Sequence, residues 1–299
     1  MSEEALAKNN DYESQWYEQD IPIRGCHLSF SQIKNAYREL SVLTKSEGEK
    51  IVDKLDKLEG ESEEEFTKRK EFLKLDAFKV TVSIVGFDGQ TVYGETETVF
   101  DSSNLPIPIK TIFFTNETSY RRNANRTLPN NRFSFWINFD KPPLFDPNPL
   151  VSSPTHNDSK AEIKAEDVIF FRAVQNILSE KLSSNKKWYS FVHEKFAYDA
   201  GVWLIAIPYA LYWITIYSDS FFRSDDNLAS FRIAFYIYAS GLSLLFYRGL
   251  FSYIKWAFPV NILEENKDHA TRHRLLLGAI MLGLIVSGVN SMIKTFAGF

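Results

Sequence analysis

The chain has 299 residues, with 34 Lys and Arg against 38 Asp and Glu, a net charge of −4 that excludes a general nucleic-acid binder. Its one cysteine, Cys26, excludes an internal disulfide framework and a cysteine-rich zinc site. Residues 1–200 carry 26 basic and 32 acidic side chains and residues 201–299 only 8 and 6, which excludes a uniformly globular chain.

Met1–Asp20 is acidic and polar, with no basic stretch leading into an apolar one, so it does not read as a cleavable signal peptide. Residues 1–28 read as irregular apart from a short apolar patch, Ile21-Pro-Ile23. Ser29 or Ser31 can cap a helix running to about Thr44, with Ile33, Tyr37, Leu40 and Leu43 on one face. Gly48 is expected to interrupt it. A second helix over Glu49–Glu59 then ends at Gly60. Ser62, followed by Glu63, Glu64 and Glu65, starts a third, because a capping residue with acids in the first turn complements the helix dipole. These helices make up a segment over 29–76.

The period then changes. Phe78–Val85 and Thr91–Phe100, joined by the turn signal Phe87-Asp-Gly-Gln90, read as a hairpin. Ile109–Thr115, Arg132–Phe139 and a shorter Lys160–Lys164 supply further strands. Pro-rich Lys141–Leu150, with its turn cluster at Asp146–Pro149, and polar Ser152–Ser159 read as loops. From Glu166 to about Leu182 the helical period returns through Val168, Phe171, Val174, Leu178 and Leu182, until Ser183–Asn185 breaks it. Residues 77–185 are thus expected to form a small antiparallel sheet with an amphipathic helix. Together with 29–76 this predicts an α+β domain.

The distinctive feature of that domain is the stretch Ser119–Asn131, read as a loop. It holds Arg121, Arg122 and Arg126, is followed by Arg132, and has no acid between Glu117 and Asp140. Tyr120, Asn123, Asn125, Asn130 and Asn131 add hydrogen-bonding groups. Arginine forks donate paired bonds to phosphate, so the four arginines are candidate ligands for an anionic small molecule, an acidic protein partner or anionic headgroups. The competing reading is a solvated loop whose arginines pair with acids of the same domain.

A connector over 186–199 leads to a membrane module over 200–299. Ala200–Ser218 and Leu275–Ile293 are uncharged stretches of nineteen residues, each about 28 Å as a helix, close to the hydrocarbon thickness. Ten Leu, Ile or Val residues in the second favour insertion by about 3–6 kcal/mol. Pro208 is expected to kink the first span. Ile233–Tyr247 lies between Arg232 and Arg248 and reads either as a further span over about 232–250, the second of three in chain order, or as a re-entrant helix reaching Pro259. Lys186, Lys187 and Lys195 precede the first span. Arg223 and Arg232 stand against Asp219, Asp225 and Asp226 in the next loop, and Arg248, Lys255, Lys267, Arg272 and Arg274 follow the second span. This high, low, high order predicts an N-terminus in the cytosol and a multi-pass protein of the plasma (inner) membrane. Asn116, Asn125 and Asn157 each open a glycosylation triplet, which matters only for a translocated segment.

In the last span Ala279, Gly283, Ser287 and Ser291 recur every four residues and form a small-residue ridge, widened by Gly278 and Gly288, while Asn290 is its one strongly polar side chain. The ridge suits packing against the other spans or assembly into a homo-oligomer. No ionisable residue lies inside the first or third span, which disfavours a transporter.

Motifs for phosphate loops, dinucleotide binding, nucleophile elbows and zinc proteases are missing, so no catalytic residue, metal ligand or cofactor is assigned. Cys26 beside His27, and His269 with His273 near Glu264, Glu265 and Asp268, carry no recognisable ligand or dyad spacing. Asp88, Glu95, Glu97 and Asp101 along the hairpin read as edge protection. Three functional readings remain: a domain that senses a ligand or partner and is coupled to a membrane anchor, a passive membrane-bound scaffold, and a membrane-anchored enzyme with an unrecognised active site.

Overall fold

The computed structural model describes residues 15–124, 126–144, 152–182, 187–222, 229–266 and 270–297, the side chains of 219–221, 284, 285 and 288–297 excepted. Asn125, the Asp146–Pro149 turn cluster, Ser183–Asn185, Lys186, Arg223, Asp225, Asp226, Lys267, Asp268 and His269 lie outside the described residues, as do the side chains of Asp219, Asn290 and Ser291. The chain divides into two units. The first comprises the described part of Met1–Asp140, with Asn157–Lys187 and Asn261–Asn266; the second comprises Lys141–His156, Trp188–Val260 and Lys267–Phe299.

The first unit is an α+β body. Its sheet has strands β1 (Tyr17–Pro22), β3 (Thr81–Gly86), β4 (Thr91–Gly94), β5 (Ile109–Thr115), β6 (Arg132–Asn138) and β7 (Lys160–Ala165), in the order β1-β7-β6-β5-β3-β4 and antiparallel throughout. Register places Val82 opposite Phe114, Ile84 opposite Ile112, and Phe114 opposite Phe135. These residues alternate with Ser83, Phe113 and Trp136, so one face is apolar and fully buried while the other is half-exposed. Two elements differ from the sequence reading. The segment read as irregular contains β1, an edge strand whose inward residues are only Tyr17 and Ile21. The second hairpin strand stops at Gly94, and Glu97–Asp101 winds as a 3-10 turn. A Cβ at Gly94 would sit 2.2 Å from Val99 Cγ2, so this turn can fold back only over a glycine.

Helix α1 (Phe30–Asp53) and helix α4 (Val168–Ile177) contribute Ile33, Tyr37, Leu40, Phe170 and Val174 to the core on the apolar face. Ser29 caps α1 in a reciprocal box with Gln32. The Tyr37 hydroxyl donates to the Val80 carbonyl at 2.9 Å, and burial pushes its phenol up to about 12. Asp167 caps α4, whose last turn, Leu178–Leu182, is a π turn. Helix α2 (Glu63–Asp76) starts at the predicted Ser62 cap, with Glu65 closing the box. None of its residues is fully buried. Polar contacts around it include Arg69 to Glu61 and Lys74 to Asp53, and the Arg69 guanidinium draws the Glu61 carboxyl down to about 2.

Gly48 does not interrupt α1, which continues to Asp53, so the separate helix over Glu49–Glu59 is not formed. A Cβ at Gly48 would lie 2.3 Å from Cγ and 2.6 Å from Cβ of Phe78, so the glycine exists to let the ring close on the helix backbone. Gly48→Ala should therefore reverse the usual sign of a helical Gly→Ala change. Alanine gains about 1 kcal/mol of helix propensity, but the collision involves the root of a buried ring and overpacking costs about 1–3 kcal/mol. A lower unfolding midpoint is expected for the variant, and an unchanged or raised one would show that Phe78 moves aside freely.

The second unit holds a 3-10 turn (Trp188–His193) and the helices α5 (Ala197–Gly201), α6 (Ile207–Phe221), α7 (Ala229–Ala257) and α8 (Ala270–Ala297). Val202–Ala206, between α5 and α6, is wound as a π turn directly before Pro208. Proline offers no N–H to the preceding turn, and the π turn absorbs the one-residue shift, with Ile207 N–H reaching back to the Val202 carbonyl. The short apolar run Ile233–Tyr247 lies within one unbroken helix of 29 residues.

Candidate functional site

The arginine stretch is not a loop. Glu117–Asn123 forms helix α3, with Ala124 at its C-cap. Arg122 lies against Glu95, Nη1 at 2.8 Å from Oε1 and Nη2 at 3.1 Å from Oε2, and this fork holds the Glu95 carboxyl below its usual range. Arg132, on β6, has Nε 3.6 Å from Glu117 and donates through Nη1 to the Pro129 carbonyl at 3.3 Å. Burial raises the Glu117 carboxyl, opposed by Arg132 and Arg121. Arg121 and Arg126 are exposed. Arg126 takes a left-handed φ of 64° and its N–H donates to the Arg121 carbonyl at 3.0 Å. Two of the four predicted arginines are thus committed to acids of the same unit, and two face solvent.

The asparagines expected to serve a ligand serve the fold instead. Asn131 is 7% exposed; its Oδ1 accepts from the Glu166 and Asp167 amides and its Nδ2 donates to Glu47. Asn123 donates to the Asp76 and Ser119 carbonyls, and Asn130 to Glu166. Asn116 donates to the Asn131 carbonyl and accepts from Phe133 N–H, while Asn157 donates to the Ile23 carbonyl. Both are therefore hydrogen-bonded within the fold, which weakens the glycosylation reading of their triplets. Beside Asn131 lies an open depression of about 300 Å³ lined by Glu47, Lys50, Ile51, Lys54, Glu166 and Asp167. None of the four arginines lines it.

One segment that joins distant parts of the first unit goes unread in the sequence. Asn261–Asn266 lies between α7 and α8 in the chain, yet belongs to the first unit. Ile262–Leu263 forms β8, paired in parallel with β2 (His27–Leu28). Ile262 N–H donates to the Cys26 carbonyl at 3.0 Å, and Glu264 N–H to the Leu28 carbonyl at 2.9 Å. Leu263 is 1% exposed and joins the main core. Three side chains complete the clasp. Asn261, 1% exposed, accepts from Cys26 N–H at 3.2 Å and donates to the Ile23 carbonyl at 3.1 Å and Ser159 Oγ at 3.0 Å. Glu265 accepts from Phe30 N–H, in the first turn of α1, at 2.7 Å. Asn266 imitates a strand neighbour, accepting from Ile109 N–H at 2.8 Å and donating to the Ile109 carbonyl at 2.7 Å. The alternation of amides around Ile262-Leu263 is its only sequence signal, too short for periodicity to detect.

Among the described residues two helical stretches are long and apolar enough to cross a membrane, Ala197–Ser218 and Ala229–Ala257. Their apolar windows are almost entirely unburied. Trp203, Leu204, Ile237 and Phe246 are each at least 70% exposed. Polar atoms are satisfied where the helices meet or end: Ser218 Oγ lies 2.7 Å from the Tyr236 hydroxyl, Arg232 donates to the Phe222 carbonyl at 2.7 Å, and Arg274 donates to the Ala257 carbonyl at 2.6 Å. The arginines counted as flanking charges thus also close helix ends. Along α8 the ridge residues Ala279, Gly283 and Ser287 are exposed, and a Cβ at Gly278 or Gly283 would meet nothing within 4 Å. His273 bonds the Tyr253 hydroxyl at 2.7 Å. Among the described residues no group of three or more His, Cys, Asp or Glu could hold a metal ion.

Comparison with protein-family models, curated proteins and solved structures finds no match.

The clasp yields a measurable expectation. Asn261→Ala leaves the buried Cys26 amide without its acceptor, a cost of about 1–3 kcal/mol, while the Ile23 carbonyl keeps its bond from Asn157. Asn266→Ala removes both side-chain bonds at Ile109. Hydrogen exchange at the amides of Cys26, Ile109 and Ile262 should accelerate in both variants. Exchange that stays at the wild-type rate would mean that β8 is held by Leu263 alone.

Proposed function

We propose that this chain is a multi-pass membrane protein whose α+β domain senses an anionic ligand or acidic partner and passes its state to the membrane module through Asn261–Asn266. The observation that carries the reading is the clasp: a segment flanked by apolar helices has become a strand of the soluble body. Any change in β2, β5 or the start of α1 must strain or release it, and its two ends continue covalently into α7 and toward α8. Exposed Arg121 and Arg126 supply cationic groups for the ligand.

The same segment constrains the path through the bilayer. By Asn261 the chain has returned to the body it left at Lys187, so it crosses an even number of times in between. Two apolar helical stretches occupy that interval, and the reading has both cross, with α8 as a third span. The basic flanks then place the domain in the cytosol of a plasma (inner) membrane protein. The exposed ridge of α8 would serve a homo-oligomer. The scaffold alternative is favoured by one observation, the commitment of Arg122 and Arg132 to acids of their own unit.

Topology is tested with single cysteines in the full chain, native Cys26 being fully buried. An impermeant maleimide should label Val42→Cys and Ser224→Cys from opposite sides of sealed vesicles. Labelling from one side would remove the paired crossing.

Sensing is tested with inorganic pyrophosphate on the chain in nanodiscs. Slower hydrogen exchange is expected at 117–132, with a concerted change at 261–266, both lost in Arg121→Ala/Arg126→Ala. Exchange unmoved by millimolar pyrophosphate would reject sensing of phosphate-type anions through this turn and leave the scaffold reading.

A further inference from the structure

Trp188, Phe191 and Phe196 are 79%, 52% and 59% exposed, although each sits on a tightly held backbone. In a 3-10 turn, residues three apart share a face. Trp188 and Phe191 therefore project together, their ring centroids 6.3 Å apart, while Tyr189 and Val192 point inward and are 7% exposed. The inner side is pinned. Tyr189 packs on Phe258 at 5.1 Å, and His193 bonds both the Phe258 carbonyl, at 2.6 Å, and Thr155 Oγ1, at 2.9 Å. Thr155 N–H returns a bond to the His193 carbonyl, and Phe196 N–H donates to the Ser152 carbonyl.

Phe196 has a left-handed φ of 65°, a conformation that bulky L-residues rarely adopt and that strains the backbone. The strain aims an apolar ring outward, where it adds nothing to the core. Phe196 also directly precedes Ala197, where the first membrane-compatible stretch begins, and the Lys195 ammonium lies 4.9 Å from its ring centroid.

We propose that Trp188, Phe191 and Phe196 form a preformed anchor seated in the headgroup boundary of a bilayer, at the mouth of the first span. The inference rests on the spanning assignment above. Trp188 favours that depth because its indole joins an apolar body to an N–H that can stay wet, Phe191 and Phe196 add apolar area beside it, and a neighbouring lysine can keep its ammonium in the headgroup layer. Continuity with the span selects lipid as the occupant rather than a second protein surface.

The test uses nitroxide labels on Trp188→Cys and, separately, Phe191→Cys in the full chain, reconstituted in phosphatidylcholine–phosphatidylglycerol bilayers. Val42→Cys and Leu204→Cys, 65% and 77% exposed in the native chain, serve as references for water and hydrocarbon. Collision with a water-soluble nickel chelate should be several-fold lower at 188 and 191 than at 42, and collision with oxygen should fall between the values at 42 and 204. Labels at 188 and 191 that match position 42 would overturn the anchor while leaving the spans intact. Shielding from both reagents would assign the rings to a protein contact and equally overturn it. A label at 204 that behaves as aqueous would refute the spanning assignment itself and the anchor with it.

Discussion

The rest of the structure depends on backbone amides of the α+β body being satisfied by side chains from a distant segment. Cys26, Phe30 and Ile109 each donate an N–H to Asn261, Glu265 or Asn266, across separations of 235, 235 and 157 residues. The Cys26 bond is buried and the Ile109 bond partly so, and a buried amide left unpaired costs more than the bond itself gains. Asparagine suits the task because its side chain carries the donor and acceptor of a peptide group. At Asn266 it closes both bonds to one residue, and at Asn261 it joins Ile23 and Cys26 to Ser159. The parallel pair β2–β8 is only two residues long and could not persist on ladder bonds alone.

Charge has a more ambiguous role. Arg122 is spent on Glu95 and Arg132 lies near Glu117, so the arginine-bearing helix is first a structural element packed against β3 and β6. Arg121 and Arg126 keep their guanidinium groups toward solvent. In the second unit the same residue type does different work. The Arg232 and Arg274 side chains donate to carbonyls at the ends of α6 and α7, which would otherwise lack partners. A count of basic residues at span ends therefore merges an orientation signal with a capping requirement.

Much of the α+β body is legible in the order of residues. The Ser62 cap, the turn at Phe87-Asp-Gly-Gln90, the strands starting at Ile109 and Arg132 and the stripe after Glu166 are local signals, and each element forms close to its expected place. Gly48 misleads because its role is set by Phe78, thirty residues away, and a helical glycine that admits a ring resembles one that ends a helix. Strand β1 is hidden because an edge strand buries only part of two side chains. Helix α3 is hidden because its composition is that of a loop and its fold is fixed by Glu95, Asp76 and Phe78. The two membrane-compatible helices announce themselves by composition alone. The clasp does not, since six polar and apolar residues between two helices carry no period.

That clasp has a consequence for biosynthesis. A chain growing from its N-terminus completes β1 through β7 and α4 long before β8 exists, and the core lacks Leu263 until the helices up to Ala257 have been made. The nascent body must wait, with the Cys26 and Ile109 amides open to water, while the intervening helices are made. Final closure of the body then acts as a checkpoint: a chain that fails to return Asn261–Asn266 to it is left with an unfinished domain.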